Sequence, residues 1–187
     1  MCIRDRYRTA HFGKWGMGSD PFVLGYDVSD GPTKNRDGNF DNDRSQWNNV
    51  FKEDPKHIFS LTNRAIDFMS SSVVEKKPFY LQISHYAVHT NIESTKESFS
   101  QLEKKPKGAQ QKDIGFAAMT LDLDSGLGIL LKKINELGIE ENTYIIYMSD
   151  NGSVPNIPGA KKYEKSYNYP LSLSLIHISE PTRPSRI

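Results

Sequence analysis

Three groups of residues in this 187-residue chain have the types and spacing to do chemistry. Asp150-Asn151-Gly152 sets a carboxylate beside an amide, two hard oxygen donors of the kind that calcium or magnesium takes. The same Asn-Gly pair is also a strong turn signal, and an Asp at a strand end often only caps a loop. His85 and His89 have the separation of paired zinc ligands only if they lie on a helix. Here they follow a strand-like run, so zinc is not supported, and a lone histidine is more often a structural hydrogen-bonding residue. In Tyr7-Arg-Thr-Ala-His-Phe-Gly-Lys-Trp-Gly-Met-Gly18, Gly13, Gly16 and Gly18 let the backbone turn tightly around Lys14, which could aim an ammonium at an oxyanion. The spacing of a P-loop is absent. Read alone, the segment is a glycine-rich turn with a surface lysine.

The elements around these groups follow from periodicity. Residues Tyr26 to Glu53 are rich in Asn, Asp and Gly, show neither the helical nor the strand period, and read as a long surface loop that could form the rim of a site. Asp37, Asn39, Asp41 and Asp43 alternate like a calcium loop, but Asn42 and Asn48 stand where an EF-hand needs Gly and Glu, so this is a solvated loop. Asp54 as N-cap and Pro55 at the first helical position open an amphipathic helix carrying Ile58, Leu61, Ala65, Ile66, Met69 and Val73. Lys76-Lys77-Pro78 ends it, and Phe79 to Ser84 reads as a buried strand. The Lys-, Glu- and Gln-rich stretch up to Lys112 reads as a solvated loop. A second helix starts near Asp113, uses Ala117, Leu121, Leu127, Leu130, Leu131, Ile134 and Leu137, and stops at Gly138. Thr143 to Ser149 reads as a second buried strand. Helix, strand, helix, strand with short links predicts an α/β domain with a mainly parallel sheet flanked by helices. In such sheets ligands bind beyond the carboxyl ends of the strands, which is where His85, His89, Asp150 and Asn151 fall.

A formal net charge of +1 gives no electrostatic case for nucleic acid or an anionic membrane surface. The single cysteine, Cys2, allows no internal disulfide. No apolar run approaches the roughly 18 residues of a spanning helix, and no secretory signal pattern is present. The first six residues and those from about Leu173 onward break the patterns beside them and look like translated adapter sequence. The expected division is therefore 1–6 as non-native, 7–172 as a partial catalytic domain and 173–187 as non-native.

In combination and in this order, the three groups resemble the sulfatase family of the alkaline-phosphatase-like superfamily. Tyr7-Arg-Thr-Ala-His-Phe-Gly-Lys-Trp15 resembles the family signature Gly-Tyr-x-Thr-x-x-x-Gly-Lys-Trp-His-Leu-Gly. Pro78-Phe-Tyr-Leu through His89 resembles its strand leading to an active-site histidine, and Ser149-Asp-Asn-Gly152 its metal motif. The resemblance implies hydrolysis of sulfate esters of carbohydrates or aryl compounds, with a calcium ion and a formylglycine hydrate made from a cysteine as nucleophile. It implies Asp150 and Asn151 as metal ligands, Lys14 at the sulfate or nucleophile region, and His89 contacting the sulfate and protonating the leaving oxygen. It also implies a periplasmic or extracellular location for the whole protein, whose signal segment is not in this chain.

Three departures accompany it. Gly16 stands where the family has a histidine, and Asn91 where it commonly has proline. The nucleophile motif Cys-x-Pro-Ser-Arg is absent: Cys2-Ile-Arg-Asp-Arg6 keeps its outline without the proline and serine. The expectation is an internal fragment that is inactive alone. The alternatives are a phosphodiesterase or phosphonate hydrolase of the same superfamily, and a non-catalytic binding module whose metal-like residues are turns.

Overall fold

A computed structural model, which describes residues 6–34, 38, 44–106 and 113–150, divides the chain into two compact units: Met1–Pro106 with Asp113–Thr143, and Lys107–Lys112 with Tyr144–Ile187. The first unit is built on a parallel sheet in the order β2-β1-β4. β1 is Arg8–Gly13, β2 is Val28–Ser29 and β4 is Phe79–Ser84. A second parallel pair joins β3, Val50–Phe51, to β5, Glu93–Ser94. This is the expected α/β architecture, but its central strand lies in the segment expected as a glycine-rich turn. The register runs from Arg8 opposite Phe79 to Gly13 opposite Ser84, so β1 and β4 end together.

Alternation along β1 sorts its side chains onto two faces. Ala10 and Phe12 enter a core with Leu61, Ala65, Phe68 and Met69 of helix α1, Ile58–Val74. Burying each large side chain there contributes roughly 2 kcal/mol. The start of α1 differs from the expected one. Pro55–His57 is a 3-10 turn in which Lys56 and His57 take φ of 52° and 55°, so the α-helix begins at Ile58. Asp54 still caps it from further back, its Oδ1 accepting from the Phe59 N–H at 2.8 Å.

The stretch after Asn91, expected as a solvated loop, contains β5 and helix α2, Lys96–Glu103. Thr95 is its N-cap, the hydroxyl accepting from Ser98 N at 3.1 Å, with Glu97 in the first turn where the helix dipole favours an acid. Helix α3, Ile114–Glu136, begins as expected at Asp113, whose Oδ1 accepts from Phe116 N at 2.8 Å, and stops before Gly138 at φ +64°. Its packed side overlaps the expected one, with Leu130 and Ile134 in the core and Leu127 and Leu137 packed against it, but extends beyond it. Ala118, Met119, Leu123, Gly126, Leu130 and Ile134 are buried, whereas Ala117 and Leu131 are exposed. Gly126 allows a close approach of α1 on this side, because a Cβ there would meet Ile58 Cγ2 at 2.8 Å. By length and composition α3 could cross a membrane, yet this side packs on α1 and α2.

In the second unit only Tyr144–Asp150 is described. Among the described residues the expected buried strand from Thr143 to Ser149 is not seen: the backbone pairs with no described strand, and Tyr144, Ile146 and Met148 are exposed. Apolar β-forming side chains specify a strand only where a neighbour completes the ladder.

Candidate functional site

Because β1 and β4 run parallel and end in register, the residues after each strand share one edge of the sheet. Lys14 follows β1, and its N–H donates to the Ser84 carbonyl at 2.7 Å. Its neighbours are locked too. The Thr33 hydroxyl donates to the Gly13 carbonyl at 2.7 Å and accepts from Trp15 N at 2.9 Å, while Lys34 N donates to the Trp15 carbonyl at 2.9 Å. Trp15 turns inward, with its indole N–H donating to the Ser19 carbonyl at 2.7 Å. The Lys14 backbone is thus fixed on both sides, and its half-buried side chain leaves from a rigid base.

Sequence reasoning missed the residues that supply this rigidity. Asp30, just past β2, accepts from Gly13 N at 2.7 Å through Oδ2 and from Arg64 Nη1 of α1 at 2.8 Å through Oδ1. One carboxylate therefore ties the ends of β1 and β2 to the helix. The signal was faint: an Asp after the short Val28-Ser29 pair looks like any Asp in a polar loop. On the face of β1 away from α1, His11 is wholly buried among the rings of Trp15 and Tyr26, its Nε2 at 3.0 Å from Ser84 Oγ. Burial lowers its pKa, outweighing the nearby Asp30 charge, which raises it.

Beyond β4 the chain turns at Tyr86–His89, where the His89 N–H donates to the Tyr86 carbonyl at 3.0 Å. The His89 side chain is exposed, with Nδ1 2.8 Å from the Thr90 carbonyl oxygen. A carbonyl only accepts, so in this contact Nδ1 carries the hydrogen and Nε2 is left for another partner. His85, at the head of the same segment, behaves differently. Both ring nitrogens are shut off from solvent and no described residue bonds them. Burial holds its pKa at about 4, below the ordinary 6.5. The unfolded chain then takes up this proton first as the pH falls. The stability that neutral His85 contributes is complete above pH 6.5 and is lost as the pH falls towards 4. We expect urea unfolding to show a loss of about 2 kcal/mol between pH 7 and 4.5 that is absent in His85→Gln.

Gly16, where the resemblance calls for a histidine, is exposed, and a Cβ there would meet nothing within 4 Å. Asp150 belongs to the second unit and is exposed, and Asn151 lies outside the described residues. Asp150 has the hard-oxygen chemistry that calcium takes, but calcium takes six to eight such donors, and no group of three or more His, Cys, Asp or Glu among the described residues could hold a metal. The described residues do not by themselves form an ion's cradle.

The family model described as Sulfatase matches residues 3–182. The ulvan-active sulfatase of Formosa agariphila is 22% identical over 85% of this chain and 35% of its own length. The N-acetylgalactosamine-6-sulfatase of Canis lupus familiaris is 24% identical over 82% and 33%, and an uncharacterized sulfatase of Escherichia coli is 29% identical over 59% and 20%. The chain thus spans between a fifth and about a third of the length of these relatives. The fold is that of Ps i-CgsB, whose crystal structure in complex with k-i-k-neocarrahexaose superposes with a TM-score of 0.61 at 22% identity, over 86% of this chain and 42% of that one. The sheet and the family match along nearly the whole chain agree: this chain belongs to the sulfatase family, of the alkaline-phosphatase-like superfamily.

Proposed function

We propose that the chain forms part of a sulfuric ester hydrolase that cleaves sulfate esters of glycans, with sulfated small molecules as simpler substrates. The observation that carries this reading is the common end of β1 and β4, which sets Lys14 and the His89 turn on one sheet edge. Displacement at sulfur builds negative charge on the sulfate oxygens and on the leaving oxygen. Lys14 supplies a cation to the former. His89, with Nδ1 committed to Thr90, offers Nε2–H to the leaving oxygen. Asp150 and Asn151 are proposed as two ligands of a calcium ion, which when bound polarises the sulfate oxygens. The nucleophile is proposed to be a formylglycine hydrate from elsewhere in the whole protein, since the 187 residues contain no Cys-x-Pro-Ser-Arg. The chain alone is accordingly proposed to be inactive. A glycan substrate is supported by relatives named as an ulvan-active sulfatase and as N-acetylgalactosamine-6-sulfatases. The proposed place of action is the periplasm or the extracellular space, where such a polymer is met.

The test uses the whole protein with 4-nitrophenyl sulfate and 4-nitrophenyl phosphate. Sulfate turnover should exceed phosphate turnover, and Lys14→Ala and His89→Ala should each lower kcat by roughly 10²-fold. Faster phosphate hydrolysis would instead identify a phosphodiesterase or phosphonate hydrolase. Parental turnover in both variants would remove the site assignment.

A further inference from the structure

Lys56 takes no part in the site as described, yet it is a buried lysine in the first unit. Its side chain is 1% exposed although its backbone adopts the left-handed conformation. Its Nζ donates to the Gly38 carbonyl, and its backbone N–H donates to Glu93 Oε2 at 2.9 Å. Glu93 is itself 3% exposed and pairs through Oε1 with Lys52 Nζ at 2.7 Å. Gly38 lies against the ring of Tyr86, so close that a Cβ would come within 3.0 Å of Tyr86 Cδ1. Tyr86 is buried, and its carbonyl accepts from the N–H of His89. A continuous line of contacts therefore runs from Lys56 through Gly38 and Tyr86 to His89.

We propose that Lys56 is a positioning residue: it presses Gly38 onto Tyr86 and thereby fixes the Tyr86–His89 turn that presents the imidazole to the leaving oxygen. The inference rests on the reading of His89 given above.

A lysine is a costly choice for a merely space-filling role. Met would occupy much the same volume without bringing a charge out of water. Burial pushes the Lys56 pKa down to about 8, with Glu93 pulling it up and Lys52 pushing it down. What methionine lacks is the N–H that reaches the Gly38 carbonyl. The ammonium and the neutral amine both have that donor, so the tether persists across neutral pH. The approach of Gly38 to Tyr86 completes the device, because a side chain there would push the ring away.

The experiment uses the whole protein with Lys56→Met and, from the other side of the same contact, Gly38→Ala. The readouts are kcat, KM and the Cε1–H signal of His89 in protein carrying labelled histidine. Positioning predicts a drop of about tenfold in kcat at near-parental KM in both variants, together with a His89 signal displaced by more than its linewidth. Should Lys56→Met fail to fold, Gly38→Ala decides. An unmoved His89 signal with parental kcat in a folded variant overturns the proposal. So does a loss confined to thermal stability. The two readings fail separately: parental kcat in His89→Ala removes the acid role, whereas the His89 signal in the Lys56 variant reports the tether whatever that role is.

Discussion

Gly13→Ala is expected to cost about 4 kcal/mol, a large share of the roughly 5–15 kcal/mol by which a domain is stable. Gly13 sits at φ +95°, a conformation that an L side chain rarely adopts. A Cβ there would lie 2.2 Å from the Ser84 carbonyl oxygen, 3.0 Å from its carbon and 3.4 Å from Leu61 Cδ1. The obstacle is backbone on one side and a wholly buried core residue on the other, so neither can swing aside. Moving β1 away from β4 would break the Lys14 to Ser84 hydrogen bond and pull Gly13 N from Asp30. The matched control is Gly16→Ala, where no atom lies within 4 Å and φ is not positive. That change should stay within about 0.5 kcal/mol. Urea unfolding of both variants beside the parent checks the pair, and equal midpoints would contradict the geometry.

Asp122→Ala should cost about 3 kcal/mol through loss of a buried acceptor. Asp122 is 1% exposed on α3. Its Oδ2 accepts from Thr95 N at 2.8 Å, and its Oδ1 accepts from the Thr95 hydroxyl at 2.8 Å and the Ser98 hydroxyl at 2.6 Å. The Thr95 hydroxyl donates to Asp122 while accepting from Ser98 N, so the N-cap of α2 is oriented by α3. Alanine leaves the Thr95 N–H without an acceptor and unties the two helices. Asparagine keeps an oxygen in place and should recover about half of the loss. Denaturation at pH 7 measures the totals, and hydrogen exchange should show the α2 amides opening first in the alanine variant.

How far the sequence carried these conclusions depended on whether a signal was local. α1, β4 and α3 were legible because apolar spacing and capping residues lie within or beside each segment: Asp113 and Gly138 act where their residue types suggest, Asp54 bonds the first turn of α1 from further back than an N-cap, and β4 is half-buried rather than buried. β1 was not legible, because glycines and a lysine mask a strand whose identity comes from two neighbours pairing with it in register. α2 carried its own N-cap in Thr95, but its charge-rich surface hid a short helix. The run from Thr143 to Ser149 failed in the opposite sense, with strand-forming side chains and no ladder among the described residues. At the candidate site, Lys14 and His89 are proposed from motif order. Asp30, Thr33 and Arg64 are not, because their importance lies in hydrogen bonds that join separate elements.

The turn after Lys14 has two mechanically distinct halves. Up to Trp15 the backbone is held by hydrogen bonds to Ser84, Thr33, Asp30 and Lys34, while Gly16 and Gly18 have open space where side chains would grow. Mutation at positions 16 and 18 is thereby decoupled from the lysine's placement. Natural variation could sample new side chains beside a proposed catalytic cation without disturbing it, which makes this short segment a place where selectivity can evolve while the machinery stays fixed.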